Sequence, residues 1–386
     1  MRVASVVFNY FTNDSRVEKQ AISLGLLGFE VSVFALWKNG LPYEQINQNY
    51  RICRLPLYLR KYESKFFAIL KFCELILKFA FKIRKFNIVH CHDCTPLISG
   101  LLAKIMSFGK LKIIYDAHEY QTEIHNLGSF RKKLFCITEY AAKFFTEKLI
   151  TVSPSIAKEY KMKYRYREVD IIYNSPKLQN QKTLESDILR QLLKISQNNK
   201  IFLFQGSIVP NRGIEEIIEI FAEPVLKDCE LVIIGFEGRS SASKRLFFRL
   251  TELTSKHENI HYLPAVSNKE LLKYTASADF GFCLTKDTCL NHRYSLPNKL
   301  FEYLSVNTPV LVSALPDMSK VVENHGCGIV AKDHSRQEIQ NAIQKIMALD
   351  YQNLSIATQN VNQEYCWENQ ERKLGRIYSE IFALAK

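Results

Sequence analysis

The chain has 386 residues, of which 47% are hydrophobic and 24% charged, and its formal net charge is +13 at pH 7. This length predicts about two domains, and this composition is typical of a globular protein rather than a disordered or fibrous one. The ten cysteines show no framework spacing, and no run of about 20 uncharged apolar residues exists, which argues against a disulfide scaffold and a membrane span.

Strand-like and helix-like segments alternate along the chain. In the first half the predicted strands are 3–9, 30–35, 87–91, 112–115, 149–152 and 170–173. In the second half they are 201–205, 230–234, 259–263, 280–284, 309–313 and 328–330. Strands separated by helices indicate parallel sheets covered on both faces. We therefore predict an α/β fold with two doubly wound, Rossmann-like domains facing across a cleft.

The polar interval between the two series sets the expected domain boundaries. We predict an N-terminal domain over 1–174, a linker with one helix over 175–199, and a C-terminal domain over 200–365. The first residues enter a strand-like pattern without the apolar core of a signal peptide, so a cytoplasmic location with reduced thiols is expected.

Charge is concentrated in the first half of the chain. Residues 1–175 carry 27 Lys and Arg against 15 Asp and Glu, whereas the remainder carries 25 against 24. Within the basic half, the segment 61–86 interleaves lysines with aromatic residues, a composition typical of a helix on an anionic membrane surface. A buried core helix with snorkelling lysines is the alternative. Nucleic acid is not favoured, since no recognition module accompanies the charge.

The membrane interpretation divides this helix into two faces. Ile69, Leu70, Cys73, Ile76, Leu77, Ala80 and Ile83 are expected to be buried on the sheet. The residues expected at the membrane are Lys65, Phe67, Lys71, Phe72, Lys78, Phe79 and Lys82.

Two segments of the first half place polar residues where a strand ends. IVHCHDCTP (88–96) contains potential metal ligands, but alternation points His90 and His92 away from Cys91, and no second ligand pair has zinc-site spacing. No metal is therefore expected. In IIYDAHEYQTE (113–123), His118 follows a strand and could donate a hydrogen bond to a substrate or exchange a proton; the alternative is a histidine packed under a loop.

Two segments of the second half suggest a nucleotide site. FQGSIVPNRG (204–213) ends a strand and precedes a helix, whose N–H groups could bind an anion together with Arg212. In YSLPNKLFEYL (294–304), Glu302 could accept hydrogen bonds from a ribose diol, and Lys299 could bind a diphosphate. The alternatives are an ordinary turn and a capped helix with a surface charge pair. No Walker or GxGxxG pattern exists.

Together these segments resemble glycosyltransferases of the GT-B fold, close to glycosyltransferase family 4. The resemblance covers essentially the whole chain, and it depends on the order and spacing of NDSRVEKQAISLGLLGFEVSVFA, VHCHDCTPLISGLLA, YDAHE, EKLITVSPSIAKEY, IIYNSP, FQGSIVPNRGIEEII, LVIIGFEG and PNKLFEYLSVNTPVLVS. It implies a transferase that moves a sugar from a nucleotide diphosphate sugar to a hydroxyl acceptor, with retention and without a metal or other cofactor. The last helix, about 366–386, should pack back on the N-terminal domain.

The resemblance also assigns residues. His118 matches the histidine near the transferred sugar, and Glu119 or Asp116 could orient acceptor or sugar. The implied donor site comprises Gly206, Ser207, Arg212, Gly235, Val266, Tyr294, Asn298, Lys299 and Glu302. The implied acceptor loop comprises Asn13, Asp14, Ser15, Arg16 and His92.

Two departures from the family pattern affect the donor site. Tyr294 stands where the first Glu of the Glu-x7-Glu element would contact the sugar, and Ser207 replaces the usual Arg near the glycine turn. Lys299 could supply the missing charge. The basic first half favours a lipid-linked or membrane-borne glycan acceptor and a peripheral position on the inner face of the cell membrane, in polysaccharide or glycolipid synthesis. The alternatives are a nucleotide-sugar epimerase and a non-catalytic binding subunit.

Overall fold

The computed structural model describes residues 1–59, 67–180, 185–226 and 228–383. The chain divides into two compact units, the first comprising Met1–Ile172 with Glu371–Lys386 and the second comprising Tyr173–Gln370. The sequence predicts boundaries near 174 and 366, whereas the chain passes between the units after Ile172 and after Gln370. The C-terminal helix therefore begins in the second unit and continues in the first.

The first unit contains an eight-stranded sheet. Its strands are β1 (Arg2–Val6), β2 (Glu30–Leu36), β3 (Glu44–Ile46), β4 (Arg51–Leu55), β5 (Ile88–His92), β6 (Lys112–Ala117), β7 (Lys148–Thr151) and β8 (Asp170–Ile171). Their order is β3-β4-β2-β1-β5-β6-β7-β8, parallel except for the β3–β4 pair. The sequence analysis missed β3 and β4. All three residues of β3 are exposed, and two of the five residues of β4 are arginines, so neither shows the apolar run of a buried strand.

The helices of the first unit follow its strands. They are α1 (Ser15–Leu26), α2 (Ala68–Ile83), α3 (Cys94–Met106), α4 (Ser129–Phe145) and α5 (Pro154–Tyr164). Right-handed crossovers place α2 to α5 on one face of the sheet, because the strands that they connect follow one another in the same direction. In agreement, α2 packs on α3, α3 on α4, and α4 on α5.

The second unit contains a six-stranded parallel sheet. Its strands are β9 (Lys200–Ile208), β10 (Cys229–Glu237), β11 (Ile260–Pro264), β12 (Phe280–Cys283), β13 (Val310–Ser313) and β14 (Gly328–Ala331), in the order β11-β10-β9-β12-β13-β14. Its helices are α6 (Ile188–Leu193), α7 (Ile214–Phe221), α8 (Ser241–Lys256), α9 (Asn268–Ala276), α10 (Leu290–Arg293), α11 (Asn298–Ser305), α12 (Pro316–His325), α13 (Arg336–Ala348) and α14 (Tyr351–Tyr365), and α15 (Trp367–Ala383) passes into the first unit. The α/β prediction with two parallel-sheet domains is confirmed.

Alternation along the central strand gives the second unit a core on each face of its sheet. Phe202 and Phe204 of β9 belong to one buried cluster, whereas Ile201 and Leu203 belong to the other. Successive side chains of a strand point to opposite faces, so the run of apolar residues is buried on both sides.

The strand order changes direction once in each sheet. In the first unit this happens between β1 and β5, and in the second between β9 and β12. The connections leave these neighbouring strands in opposite directions, which opens a crevice at their carboxyl ends. The residues after β5 and β9 are therefore those that the fold presents to a ligand.

The orientation of α2 differs from the prediction. The residues buried on this helix are Ile76, Phe79, Ala80 and Ile83. Phe79, which was expected at the membrane, is fully buried, and Phe67 and Phe72 are half-buried. Ile69, Leu70, Cys73 and Leu77, which were expected in the core, are exposed. The predicted orientation was wrong because apolar residues surround most of the helix, so their periodicity does not identify the buried face. Lys65 lies outside the described residues.

None of the helices that the structure describes is both long enough and apolar enough to cross a bilayer.

Replacing Gly235 should destabilise the second unit. Gly235 pairs with Gly206 across β10 and β9, and a Cβ added to it would lie 1.9 Å from the Gly206 carbonyl oxygen. We expect Gly235→Ala to lower the free energy of unfolding by about 1–3 kcal/mol, because backbone must shift to accept the methyl group. Urea unfolding measures this. Gly128→Ala is the control, since an added Cβ there meets nothing within 4 Å; equal stability of the two variants would contradict the packing argument.

Candidate active site

In the first unit, two neighbouring strands deliver polar residues to the same edge of the sheet. His92 ends β5 and pairs in register with Asp116 of β6. Asp93 follows His92, and His118 follows the end of β6 at Ala117. The two segments lie beside the change of direction between β1 and β5, so they form the polar cluster of this unit.

Asp116 is the buried centre of that cluster. Its side chain is fully buried and accepts hydrogen bonds from Arg16 (Nη2 to Oδ1, 2.7 Å; Nε to Oδ2, 3.1 Å) and from Gln20 (Nε2 to Oδ2, 2.8 Å). Burial alone would raise the pKa of the Asp116 carboxyl, but Arg16 and His118 hold it well below its usual range. Asp116 is therefore a buried anion whose oxygens are already occupied by Arg16 and Gln20, and its predicted role in orienting a substrate stays a prediction.

Three imidazoles surround this carboxylate. Oδ2 of Asp116 lies 3.5 Å from His90 Nε2, 3.6 Å from His92 Nδ1 and 3.5 Å from His118 Nε2. A hydrogen-bonded chain links His118 Nε2 to His92 Nδ1 (3.1 Å) and His92 Nε2 to Ser5 Oγ (2.7 Å). His90 and His92 are buried, whereas His118 is 20% exposed. Only His118 of the three can reach a ligand without rearrangement.

The electrostatic environment separates these histidines. Burial lowers the pKa of His90, and it lowers the pKa of His92 well below its usual value, so both are neutral near pH 7. Burial would also lower the pKa of His118, but the carboxylates of Asp93 and Asp116 outweigh it and raise that pKa. His118 is therefore the proton-carrying member of the cluster.

The cluster does not fit a metal ion well. His90, His92 and Asp116 offer ligand atoms within 4.8 Å of one another. The carboxylate, however, already accepts hydrogen bonds from Arg16 and Gln20, and the guanidinium would repel a cation. Arg16 already neutralises the carboxylate that a positive ion would need.

Asp93 is the residue of this site that the sequence analysis missed. Its backbone has φ 73° and ψ 169°, a conformation that costs on the order of 1–3 kcal/mol in a residue other than glycine. Its Oδ1 accepts hydrogen bonds from the His118 backbone N–H (2.9 Å) and from Gln121 Nε2 (2.9 Å), and its Oδ2 lies 4.0 Å from His118 Nδ1. The His-Asp pair after a strand was visible in the sequence, but no pattern indicates a positive φ at aspartate.

The expected acceptor loop separates into surface and buried residues. Asn13 is exposed, and Asp14 and Ser15 are half-buried at the start of α1. Asp14 caps this helix by accepting from the Val17 N–H. Arg16 is buried and paired with Asp116, so it belongs to the interior rather than to the loop surface. Glu119 is exposed beside His118.

In the second unit, the predicted strand end at 205 is wrong, because β9 continues through Gly206 and Ser207 to Ile208 and pairs with β10 along this length. Gly206 has φ 122°, and an added Cβ there meets nothing within 4 Å. Ser207 follows it, and Arg212 lies half-buried just before α7. At α7 itself, Glu215 accepts from the Asn211 N–H (3.2 Å), so a carboxylate of the chain already lies at this helix start. The anion-binding capacity here comes from Arg212 rather than from α7.

Lys299, in the first turn of α11, is a buried cation. Its side chain is 9% exposed, and Nζ lies 4.0 Å from the centre of the Phe204 ring. Within the part of the chain that the structure describes, Nζ makes no hydrogen bond or ion pair. Burial lowers the pKa of Lys299 to about 8. No acidic residue occupies the first turn of α11, so the helix dipole and the ammonium both favour an anion.

Glu302, one turn later, is oriented by two residues that the sequence analysis did not identify. Glu302 Oε2 accepts from Gln205 Nε2 (2.6 Å), and Gln205 Oε1 accepts from Thr275 Oγ1 (2.8 Å). Gln205 and Thr275 are both buried. This chain fixes the direction of the Glu302 carboxylate, and only the buried Gln205 at the end of β9 could have suggested it from sequence.

The remaining donor-site residues lie on the same edge of this unit. Gly235 is buried and pairs with Gly206 of β9, and Val266 follows β11 and is half-buried. Tyr294, at the end of α10, is half-buried, and Asn298 is exposed at the start of α11.

Two family models match the chain. The first, described as glycosyl transferases group 1, matches residues 185–362, and the second, glycosyltransferase family 4, matches residues 17–176. Together they account for most of the sequence, and each coincides with one of the two units. The chain is a family 4-like glycosyltransferase of the GT-B fold.

Several known proteins are similar to this chain, all at low sequence identity. D-inositol 3-phosphate glycosyltransferase of Corynebacterium aurimucosum is 21% identical over 201 residues, which is 50% of this chain and 46% of the relative, so the match spans less than half of that protein. Sucrose-phosphate synthase of Thermosynechococcus elongatus has a TM-score of 0.80 at 17% identity, with both chains fully covered. Anabaena HepE in complex with UDP-glucose has a TM-score of 0.75 at 13% identity, covering 98% of this chain and 100% of its own.

Replacing Asp93 in the glycosyltransferase should change the titration of His118. Asp93→Asn removes a carboxylate that raises the pKa of His118, so that pKa should fall. The imidazole resonances of isotope-labelled enzyme measure it. Asp287→Asn in the second unit, where the aspartate pairs with Arg293, is the control. An unchanged His118 pKa in Asp93→Asn would contradict the assigned interaction.

Replacing Lys299 should stabilise the free enzyme. The pKa of Lys299 falls from its ordinary value of 10.5 to about 8, so the unfolded chain holds this proton more tightly. Wild type should therefore gain stability as pH rises from about 8 towards 10.5, and Lys299→Met should melt a few degrees higher near pH 7 and lack that gain. Thermal unfolding at several pH values measures this. Lys273→Met on the exposed surface is the control; a less stable Lys299→Met enzyme would contradict the account.

Proposed function

We propose that this enzyme transfers a glycosyl group from a nucleotide diphosphate sugar to a hydroxyl of an acceptor. The observation that carries the proposal is Lys299, a buried ammonium that makes no ion pair among the described residues, held at a helix N-terminus in the second unit, where Glu302 attracts it and Arg212 repels it. A chain that buries an unpaired charge loses stability unless a ligand compensates. A diphosphate is the compensating ligand that this environment fits.

The second unit would bind the donor through three groups. Lys299 and Arg212 would neutralise the diphosphate, and Glu302, held by Gln205, would accept hydrogen bonds from the ribose hydroxyls. Gly206, near the end of β9, has no side chain and has open space beside it, which would allow the phosphates to approach the backbone. The half-buried Tyr294 would meet the sugar in place of the family's first glutamate.

The chemical step that we propose keeps the anomeric configuration and needs no metal. The bond between the anomeric carbon and the diphosphate oxygen breaks, and the electron pair leaves with the diphosphate. The acceptor oxygen forms its bond to the anomeric carbon on the same face and transfers its proton to the leaving diphosphate. Lys299 and Arg212 would stabilise the negative charge that develops on that oxygen, which is the largest demand of the reaction.

The first unit would contribute His118 and Glu119. His118 is partly exposed and carries a proton more readily than a free histidine, so it can donate a hydrogen bond to a hydroxyl of the transferred sugar. Glu119 is exposed beside it and can accept from the acceptor hydroxyl.

The acceptor that we propose is a glycan carried by a membrane lipid, with the enzyme bound peripherally to the inner face of the cell membrane. The excess of basic residues in 1–175 supports an anionic partner surface for this half of the chain. Cell-surface polysaccharide or glycolipid synthesis is the role that follows.

A thermal-shift screen of nucleotides and nucleotide sugars in EDTA tests the donor site. UDP-glucose belongs in the screen because the solved Anabaena HepE binds it. A donor should raise the melting temperature of wild type, since ligands that bind only the native state stabilise it. In Glu302→Ala and Lys299→Met the shift should be lost or strongly reduced.

Controls and product analysis complete the test. Glu270→Ala, an exposed carboxylate elsewhere in the second unit, should retain the full shift. Incubation of the stabilising donor with wild type should release nucleoside diphosphate by transfer or slow hydrolysis. Isomerised sugar would instead identify an epimerase, and donor binding without transfer or hydrolysis a binding subunit; either result contradicts the proposal.

A further inference from the structure

The outer surface of the helix layer in the first unit exposes two apolar stripes. On α2 the exposed residues Leu70, Cys73, Leu77 and Phe81 follow one another at helical spacing. On α4 the exposed residues Phe130, Ile137, Tyr140 and Phe144 do the same, opposite to the buried Phe135, Thr138, Glu139 and Ala142. Large exposed apolar patches on globular proteins mark interaction sites. We call these two rows the α2–α4 stripes.

The two stripes belong to one layer. α3 lies between them and packs on both α2 and α4. Ile105 near the end of α3 and Phe108 just after it are exposed, and Phe108 is 93% exposed. Each helix of the layer therefore has exposed apolar residues on it or directly after it, with aromatic rings at both ends of α4.

Basic residues outnumber acidic ones on these helices, although Lys104 pairs with Glu147 and Lys132 pairs with Glu123. α2 contributes three lysines and Glu74, α3 contributes Lys104, and α4 contributes Arg131, Lys132, Lys133, Lys143 and Glu139. Glu139 is fully buried, where it accepts hydrogen bonds from Tyr115 and Tyr160. Glu74 accepts from the backbone N–H groups of Tyr58 and Leu59. The outer surface of these helices thus combines exposed aromatic rings with an excess of positive charge.

We propose that the α2–α4 stripes dock on an anionic lipid surface, with α4 as the principal contact. Aromatic and aliphatic side chains would enter the boundary between headgroups and acyl chains, and the flanking lysines would contact anionic headgroups. A second copy of this chain is a poorer occupant, because it would bring two basic surfaces together. This inference rests on the proposed membrane-borne acceptor. It moves the membrane contact from the α2 residues that the sequence predicted to the α2–α4 stripes.

The vesicle experiment uses full-length enzyme and a matched pair of variants. Co-flotation is measured with phosphatidylcholine vesicles, with and without phosphatidylglycerol, at low salt. Wild type should float with the anionic vesicles. Phe130→Ser/Phe144→Ser, which alters rings that are 80% and 64% exposed, should lose at least about tenfold in partitioning. Phe248→Ser on α8 of the second unit, where the ring is 71% exposed, should bind as wild type does.

Charge and apolar contributions are separated by a third variant. Lys133→Ala/Lys143→Ala should lose about fivefold for each lysine on anionic vesicles and little on neutral ones, because a lysine near an anionic surface is worth about 1 kcal/mol. Added salt should weaken binding of wild type more than binding of this variant.

Three outcomes would overturn the proposal. They are a wild type that does not float at low salt, a Phe130→Ser/Phe144→Ser variant that floats as wild type does, and a wild-type dimer in size-exclusion chromatography that this variant loses. Donor-induced thermal stabilisation should be unchanged in Phe130→Ser/Phe144→Ser, whose residues lie outside the donor site. A loss of lipid binding with intact donor binding therefore separates failure of this proposal from failure of the proposed activity.

Discussion

The ion pair between Arg16 and Asp116 organises the first unit. It joins α1 to β6 through a carboxylate that is fully buried, and Arg16 also donates to the Ile172 carbonyl at the end of the unit. Such a pair is costly to break, because either partner alone would be a buried unpaired charge. The same carboxylate lies within 3.6 Å of three imidazoles and raises the pKa of the one that is exposed. The raised pKa of His118 thus depends in part on a carboxylate that is fully buried.

The second unit uses the opposite arrangement. Here the buried charge, Lys299, contacts an aromatic ring and makes no ion pair among the described residues, although the Glu302 carboxylate attracts it. The first unit compensates its buried carboxylate internally, through Arg16. The second unit holds its buried cation at a helix N-terminus, which is a cost to the free protein and a gain on binding a diphosphate. This difference supports the proposal that the second unit binds the donor diphosphate.

The sequence predicted the architecture well, because burial on both faces of a parallel sheet leaves apolar runs that can be counted. It also placed Arg212 between a strand and a helix, and Lys299 and Glu302 at the start of a helix, where the structure has them; their roles stay predictions. It failed on α2, where apolar residues surround the helix and periodicity cannot distinguish the face that meets the sheet. It also missed Asp93, whose role follows from a positive φ, and Gln205, whose role follows from a contact with a residue 97 positions away. Such features arise from tertiary structure and leave little trace in local pattern.

The central claim is that Lys299 is the cation that a diphosphate neutralises. Isothermal titration of the stabilising nucleotide sugar, in buffers with different ionisation enthalpies at a pH slightly above 8, measures the protons taken up on binding. The pKa of Lys299 is about 8, and an adjacent diphosphate should raise it. The account predicts net proton uptake by wild type and none by Lys299→Met. Binding enthalpies of wild type that do not depend on the buffer would contradict it.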